Sequence, residues 1–452
     1  MQETGSFGGQ YGRSGTQTVA RAAAFSASAL RRLKVWLGQE KIVAQSYALL
    51  RVVFFAGCLL SPLGKAFQVG AGVAGLVLLA AYYTGGYARS NLARLPFRWI
   101  FAVFFLYPFA ATIFSQWPGH SFGYTKHILH ESFPLFFMGL ECIRSPRDMR
   151  TAGVCLLLAV FGQGADGIWQ FVTGYDLVNG TPVTVDGRLT GSMGTYRVGN
   201  YLAIAMVPAL LTFWALPRSL SVRWRSLFVA AVSVPPFFVL VMSQTRSAML
   251  GLAGALYCYA VLCLRVHRRL LMVPPVLLGI LLLAGPDRIR LSTALRDGRW
   301  ELWEAAWRIF REHMWFGTGA STFNPAFKSM GITLVINDNT IPHPHGIFVQ
   351  FLSDGGIAGF LLLAGVLAGI GFIWCGIRVW KGVRAADVDE IRYWRMAGLL
   401  WAGFAAYLGT GVFGHNFYRT WWLAMGLMMF GCIMGAVVSA GRCTRGEAVP
   451  HE

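Results

Sequence analysis

Apolar runs of about 17 to 25 residues, the length that crosses a bilayer as a helix, recur along most of this chain. They fall near residues 47–63, 69–86, 97–114, 124–142, 151–173, 198–216, 225–242, 247–264, 270–285, 346–375, 396–413 and 420–440. The pattern predicts an all-α, polytopic integral membrane protein with about 12 transmembrane helices, inside which scattered proline and glycine breaks are tolerable. One polar interruption stands out. Residues 286–345 form a single long loop that ends in His343-Pro344-His345, just where an apolar helix resumes. The chain thus divides into an N-terminal segment (1–46), nine spans (47–285), the large loop (286–345), three spans (346–440) and a short tail (441–452). A protein made mostly of lipid-facing helix has little reason to gather arginines, tryptophans and a histidine pair in one loop unless the loop covers a site.

Within that loop, the stretch from Arg299 to Arg311 has a helical period. Trp300, Trp303, Trp307 and Phe310 fall on one face, and Glu301, Glu304, Arg308 and Arg311 on the other. The pattern is that of an amphipathic helix resting at a membrane interface with its indoles at headgroup depth. Gly317-Thr318-Gly319 ends the unit, and the segment onward through Asn337-Asp338-Asn339 reads as loop.

Composition agrees with the pattern, since 55% hydrophobic and 13% charged residues do not make a soluble globular surface. Charge then sets orientation, because short cytoplasmic loops are enriched in Lys and Arg. Arg89, Arg94 and Arg98 share one link between spans; Arg144, Arg147 and Arg150 share another; Arg218, Arg223 and Arg225 a third; Arg265, Arg268 and Arg269 a fourth. Arg378, Lys381, Arg384, Arg392 and Arg395 complete that side, so both termini are expected in the cytoplasm and the 286–345 loop outside. The net charge of +19 is therefore mainly topological, and no basic face with interleaved aromatics remains for nucleic acid. The eight cysteines lie in spans or cytoplasmic segments and lack C-x-x-C spacing, which implies neither a disulfide framework nor a zinc or iron–sulfur site. Residues 1–18 read as disordered, no cleavable signal peptide precedes the first span, and Val19 to Leu37 read as a helix lying on the cytoplasmic leaflet.

Three outward arginines and one histidine carry candidate chemistry. Arg246 sits in the short link Ser243-Gln244-Thr245-Arg246-Ser247, Arg188 in Gly187-Arg188-Leu189-Thr190-Gly191-Ser192, and Arg299 opens the amphipathic helix. Each alone fits a lipid-headgroup contact or a structural ion pair as well as a ligand. Together they point to an anion, because a guanidinium fork matches phosphate oxygens bidentately and does not deprotonate. His345 stands at the mouth of an apolar helix behind Pro344, and a neutral imidazole there accepts a proton. Gly355-Gly356 is expected to loosen that helix, and Asp354 to act as buried polar glue. Arg188, Arg246 and Arg299 form the expected catalytic set with His345, and the same arginines with Arg296 and His343 the expected substrate contacts.

These residues resemble a known family. His345, Gly356 and Gly359 are spaced as in the signature of the O-antigen ligase family, within the wider superfamily of ligases and polymerases of lipid-linked glycans. The unit from Arg299 and Trp303 to Phe310, His313, Gly317 and Gly319 is similar to the segment that precedes the family's histidine. Arg188-Leu189-Thr190-Gly191 and Thr245-Arg246-Ser247 look like its arginine motifs, so that the likeness covers about residues 185–360. Two departures are Gly346, where the family usually has Asn, Ser or Gln, and Met314 in place of a proline.

The resemblance implies an inverting, metal-independent glycosyltransferase at the outer face of the bacterial inner membrane. It would move a glycan from undecaprenyl diphosphate to lipid A-core, with membrane lipids as its surroundings, no cofactor, and the chain acting as a monomer. His345 would deprotonate the acceptor hydroxyl, while Arg188, Arg246 and Arg299 would hold the diphosphate and stabilise its growing charge. A polysaccharide polymerase or a protein O-oligosaccharyltransferase would share these residues and differ in acceptor. A lipid-linked sugar flippase would instead need charges along a path through the bundle, of which Glu131 and Asp166 near outer ends are the chief ones present.

Overall fold

The computed structural model describes residues 35, 38–194, 197–264, 266–284, 299–331 and 343–443. Arg296, the segment Asn337-Asp338-Asn339 and, apart from Val35, the helix expected at 19–37 lie outside the described residues. Among the described residues the regular structure is helical, with one isolated antiparallel bridge between Tyr175 and Pro182.

The first half comprises α1 (Glu40–Leu60), α2 (Lys65–Gly86), α3 (Arg98–Ile113), α4 (Pro118–Glu131), α5 (Phe133–Cys142), α6 (Pro146–Thr173), α7 (Val198–Ala209), α8 (Val222–Met242) and α9 (Arg246–Cys263). The second half comprises α10 (Val273–Ala284), α11 (Arg299–Glu312), α12 (Phe323–Ser329), α13 (Ile347–Gly382, with π-helical turns over Ala364–Trp374), α14 (Val388–Gly414) and α15 (Thr420–Cys443).

Among the described residues, 8 helices are long and apolar enough to cross a membrane, and they coincide with eight of the expected spans: those over α1, α2, α6, α7, α8, α9, α13 and α15. The run at 97–114 is the 16-residue α3, and the run at 396–413 lies within the 27-residue α14. The run at 124–142 breaks at Ser132 into α4 and α5. Pro134 sits in the first turn of α5, where a missing N–H costs nothing, whereas an unbroken helix would have needed that N–H for the carbonyl of His130. The run at 270–285 likewise divides into a turn at Arg268–Leu271 and α10, whose first turn carries Pro274 and Pro275.

The two ends of the bundle differ in chemistry. At the arginine-rich end, the buried carboxylate of Glu141 takes hydrogen bonds from the backbone N–H groups of Asn91 and Leu92, from the Tyr83 hydroxyl and from Arg144 at 2.6 Å. Nearby, Arg51 pairs with Asp148 at 2.6 Å, and Asp148 completes a capping box with Ser145 at the start of α6. A buried charge is tolerated when it is paired and hydrogen-bonded in this way. At the opposite end the connecting segments meet one another, through Leu189 N–H to the Met242 carbonyl (3.3 Å), Gln116 N–H to the Thr318 carbonyl (3.0 Å) and Phe417 N–H to Gln350 Oε1 (3.0 Å).

Two local expectations are corrected. The segment after Gly319 is not all loop, because α12 forms there: Phe323, Ala326 and Phe327 pack against Leu302, Ala305, Ala306 and Ile309 of α11. Seven residues are too few to hold a helix by themselves, so tertiary packing makes it. On α11 the buried stripe is Leu302, Ala305, Ala306, Ile309 and Phe310, so Phe310 belongs to the protein-facing side, whereas Trp300 and Trp307 stay about half exposed (49% and 51%).

Candidate functional site

The site is assembled around the broken start of α13. At Gly356 the backbone turns to φ +60°, ψ −158°, which frees amides and carbonyls that a continuous helix would have consumed. The chain leaving α11 fills the break. Ile357 and Ala358 donate to the carbonyls of Met314 and Trp315 (2.8 and 3.1 Å), while Thr318 and Gly319 donate to those of Ser353 and Asp354 (3.3 and 2.9 Å). The approach leaves no room for side chains: a Cβ at Gly356 would lie 2.6 Å from the Met314 carbonyl oxygen, and one at Gly317 would collide with the Asp354 carbonyl group. Asp354 is buried and acts as the expected tie. Its side chain accepts from Gln350 Nε2 at 3.1 Å and lies near the backbone N–H groups of Ser321, Thr322 and Phe323 at the start of α12.

α13 begins at Ile347, two residues after His345. His345 itself has φ +52°, a left-handed conformation for which histidine is among the better-tolerated residues, and Pro344 presets the corner before it. The turn is held from inside. His343 is 1% exposed, its Nδ1 accepts the backbone N–H of His345 at 3.2 Å, and the two rings lie 4.3 Å apart. The Pro344 carbonyl accepts from Trp303 Nε1 at 2.9 Å, which pins α11 to the histidine turn. Gly346 follows in extended conformation, and a Cβ there would lie 2.9 Å from the Val412 carbonyl oxygen, so close packing of α14 accounts for glycine where the resembled family has a polar side chain. Among the described residues, three of the four non-glycine residues with positive φ, Gln244, Ser321 and His345, belong to connections at this end.

The link between α14 and α15 adds groups that sequence reading passed over. His415 is 3% exposed, stacks on Trp422 with centroids 4.9 Å apart, and among the described residues has no hydrogen-bond partner at either ring nitrogen. Burial holds His415 well below the ordinary imidazole range, and the charges of Arg419 and His345 push the same way. Burial likewise lowers His343, followed by His345, Arg419, His415 and Arg299. His343, His345, His415, Arg299 and Arg419 therefore lie close enough to act on one another's charge. Arg197, at the start of α7, lies over the Trp421 ring at 5.7 Å and adds its charge beside Arg419. The only sequence signal for His415 and Arg419 was a polar cluster, Gly414-His415-Asn416-Phe417-Tyr418-Arg419, between two apolar runs.

Arg246 is exposed at the first position of α9, and the next residue, Ser247, lies against Gly414, one residue before His415. Arg188 Nε lies 3.7 Å from the Asp186 carboxylate, in a loop pinned from α6. Asp166 accepts from the N–H groups of Leu177 and Ser192 at 2.7 Å each, and Gln170 Oε1 from those of Thr190 and Gly191 at 2.9 Å each. Asp166 therefore holds loop amides rather than lining a path through the bundle. The Leu189–Met242 backbone contact and the Ser247–Gly414 contact put Arg188 and Arg246 at the end that carries Arg299, His343 and His345; Arg296 lies outside the described residues.

No curated protein shows significant similarity to the chain. Residues 231–364 match the family model described as O-antigen ligase, a range that runs from within α8 through Arg246, α11 and the histidine turn to the break in α13 and stops before His415 and Arg419. Over residues 231–364 the chain is thus similar to the O-antigen ligase and polymerase superfamily.

Proposed function

We propose that this protein is an O-antigen ligase, transferring a glycan from undecaprenyl diphosphate to lipid A-core at the periplasmic face of the bacterial inner membrane. The observation that carries this reading is the histidine turn: a partly exposed His345, fixed by His343 beneath it, beside Arg299, Arg419 and His415. An acceptor hydroxyl placed against His345 gives up its proton to the imidazole as its oxygen attacks the anomeric carbon. The bond from that carbon to the diphosphate oxygen breaks, and the configuration inverts. Arg299, Arg246 and Arg188 hold the departing diphosphate, with charge supplied by guanidinium groups rather than by a metal. His343 acts on this centre through His345, since it is buried and its Nδ1 is engaged by the His345 backbone.

The experiment presents purified protein with a lipid-diphosphate glycan and, separately, with lipid A-core, a peptide or a second lipid-linked glycan. Gain of mass on lipid A-core supports the ligase. Gain on the second glycan or the peptide would make the protein a polymerase or a protein O-oligosaccharyltransferase instead, and no gain on any acceptor would overturn transfer.

A further inference from the structure

We propose that His127, His130 and Glu131 of α4 form a binding site for a divalent transition-metal ion of the zinc type, with Lys65 of α2 as the cation that such an ion displaces. The three residues lie at helical spacings of three and four, which sets their side chains on one face. One donor atom from each falls within 4.8 Å of the others. Glu131 Oε1 is 3.0 Å from His127 Nδ1, 3.9 Å from His130 Nε2 and 3.5 Å from Lys65 Nζ.

Two further observations point to a ligand. His130 Nδ1 lies 2.8 Å from the Lys126 carbonyl oxygen, which only accepts, so Nδ1 donates there and Nε2 is the ring nitrogen turned toward Glu131. A backbone carbonyl that orients one ring nitrogen and frees the other is the usual support of a metal-ligating histidine. Glu131 is 2% exposed, and its Oε2 is buried with no hydrogen-bond partner among the described residues. A ring nitrogen and a carboxylate therefore face each other, and the side chain of Lys65, the cation beside Glu131, is 57% exposed while that of Glu131 is 3% exposed. An ammonium on a long exposed stem can swing into water, whereas the carboxylate cannot follow it.

Two imidazole nitrogens and one carboxylate oxygen suit Zn²⁺, Co²⁺ or Ni²⁺ rather than Mg²⁺ or Ca²⁺, and leave a fourth position open. The cluster sits beside the α14–α15 link, since Ser132 and Gln68 both donate to the Thr420 carbonyl, at 3.0 and 3.1 Å. Its residues are separate from the histidine turn.

The test uses the full-length protein in detergent, with any affinity tag removed, stripped with EDTA and titrated with Zn²⁺ and Co²⁺. One zinc per chain is expected after gel filtration, with visible Co²⁺ absorption of a low-coordinate site. His130→Ala and Glu131→Gln should each abolish stoichiometric zinc, and Lys65→Met should tighten binding by roughly tenfold because the competing charge is gone. Lys65→Met keeps the test decisive if Glu131→Gln fails to fold. Absence of stoichiometric zinc in the parent protein, zinc retained in His130→Ala, or weaker binding in Lys65→Met would each overturn the site.

Discussion

The ring of His343 accepts the backbone N–H of His345 at 3.2 Å, so a buried histidine fixes the backbone of the partly exposed one. The two residues therefore have unequal parts, and substitutions should separate them. His345→Ala is expected to fold and to bind donor yet lose about 10² to 10⁴ in transfer rate, the usual worth of a positioned base. His343→Ala should lose roughly tenfold, through a loosened turn. A base works only while neutral, so the acid limb of the rate profile should vanish from the residual activity of His345→Gln. Rates measured on purified variants decide this, and equal losses at the two positions would remove the distinction.

Alanine at Arg188, Arg246 or Arg299 should each lower transfer by about tenfold to a hundredfold, from charge-assisted bonds worth about 1.5 to 3 kcal/mol. Lysine should restore little, because it lacks the planar fork. Arg419→Ala should behave in the same way, given its place beside His415 and His343. Donor binding and turnover, measured alongside membrane levels, check this; full activity in all four variants would sink the diphosphate role.

Gly356→Ala should destabilise the protein. The residue would keep φ +60° at a cost of about 1 to 3 kcal/mol, and its Cβ would meet the Met314 carbonyl oxygen at 2.6 Å. Gly162→Ala in α6, where a Cβ meets nothing within 4 Å, serves as the control and should be neutral or mildly stabilising. Thermal unfolding in detergent compares them, and matched melting temperatures would refute the docked arrangement of α11 and α13.

Burial keeps both His343 and His415 below the ordinary imidazole value in the folded protein. The unfolded chain takes up protons at these positions below about pH 6.5, while the folded chain does not. Stability should thus be complete above that pH, fall as pH drops through it, and level off below the folded values. The double variant His343→Asn, His415→Asn should show a shallower acid decline in melting temperature than the parent. An identical decline would assign the pH dependence to other groups.

Much of the fold was legible because its signals are local. An apolar run long enough to span a bilayer announces itself, as does an arginine cluster between two runs, and the helical period from Arg299 to Arg311 marked α11 without reference to any neighbour. Proline chemistry was less legible, since scattered prolines read as tolerable while the break before Pro134 divided a run whose hydropathy reads as continuous. The His127-Ile128-Leu129-His130-Glu131 cluster passed unnoticed inside that run because hydropathy weighs residues singly and does not see which of them share a helical face.

The site was legible only in part. Glycines at 317, 319, 356 and 359 stood in a recognisable order, yet their purpose appears only where the chain after α11 enters the break in α13 and where the Tyr107 hydroxyl meets Gly359. α12 depends on packing against α11, and so has no local signal strong enough to announce it. His415 and Arg419 join the histidine turn because Val412 and Gly414 press α14 against Gly346 and Ser247. Periodicity along one helix states which face seeks burial. It carries nothing about which distant segment supplies the partner, and the meeting of those segments placed the histidines and arginines together.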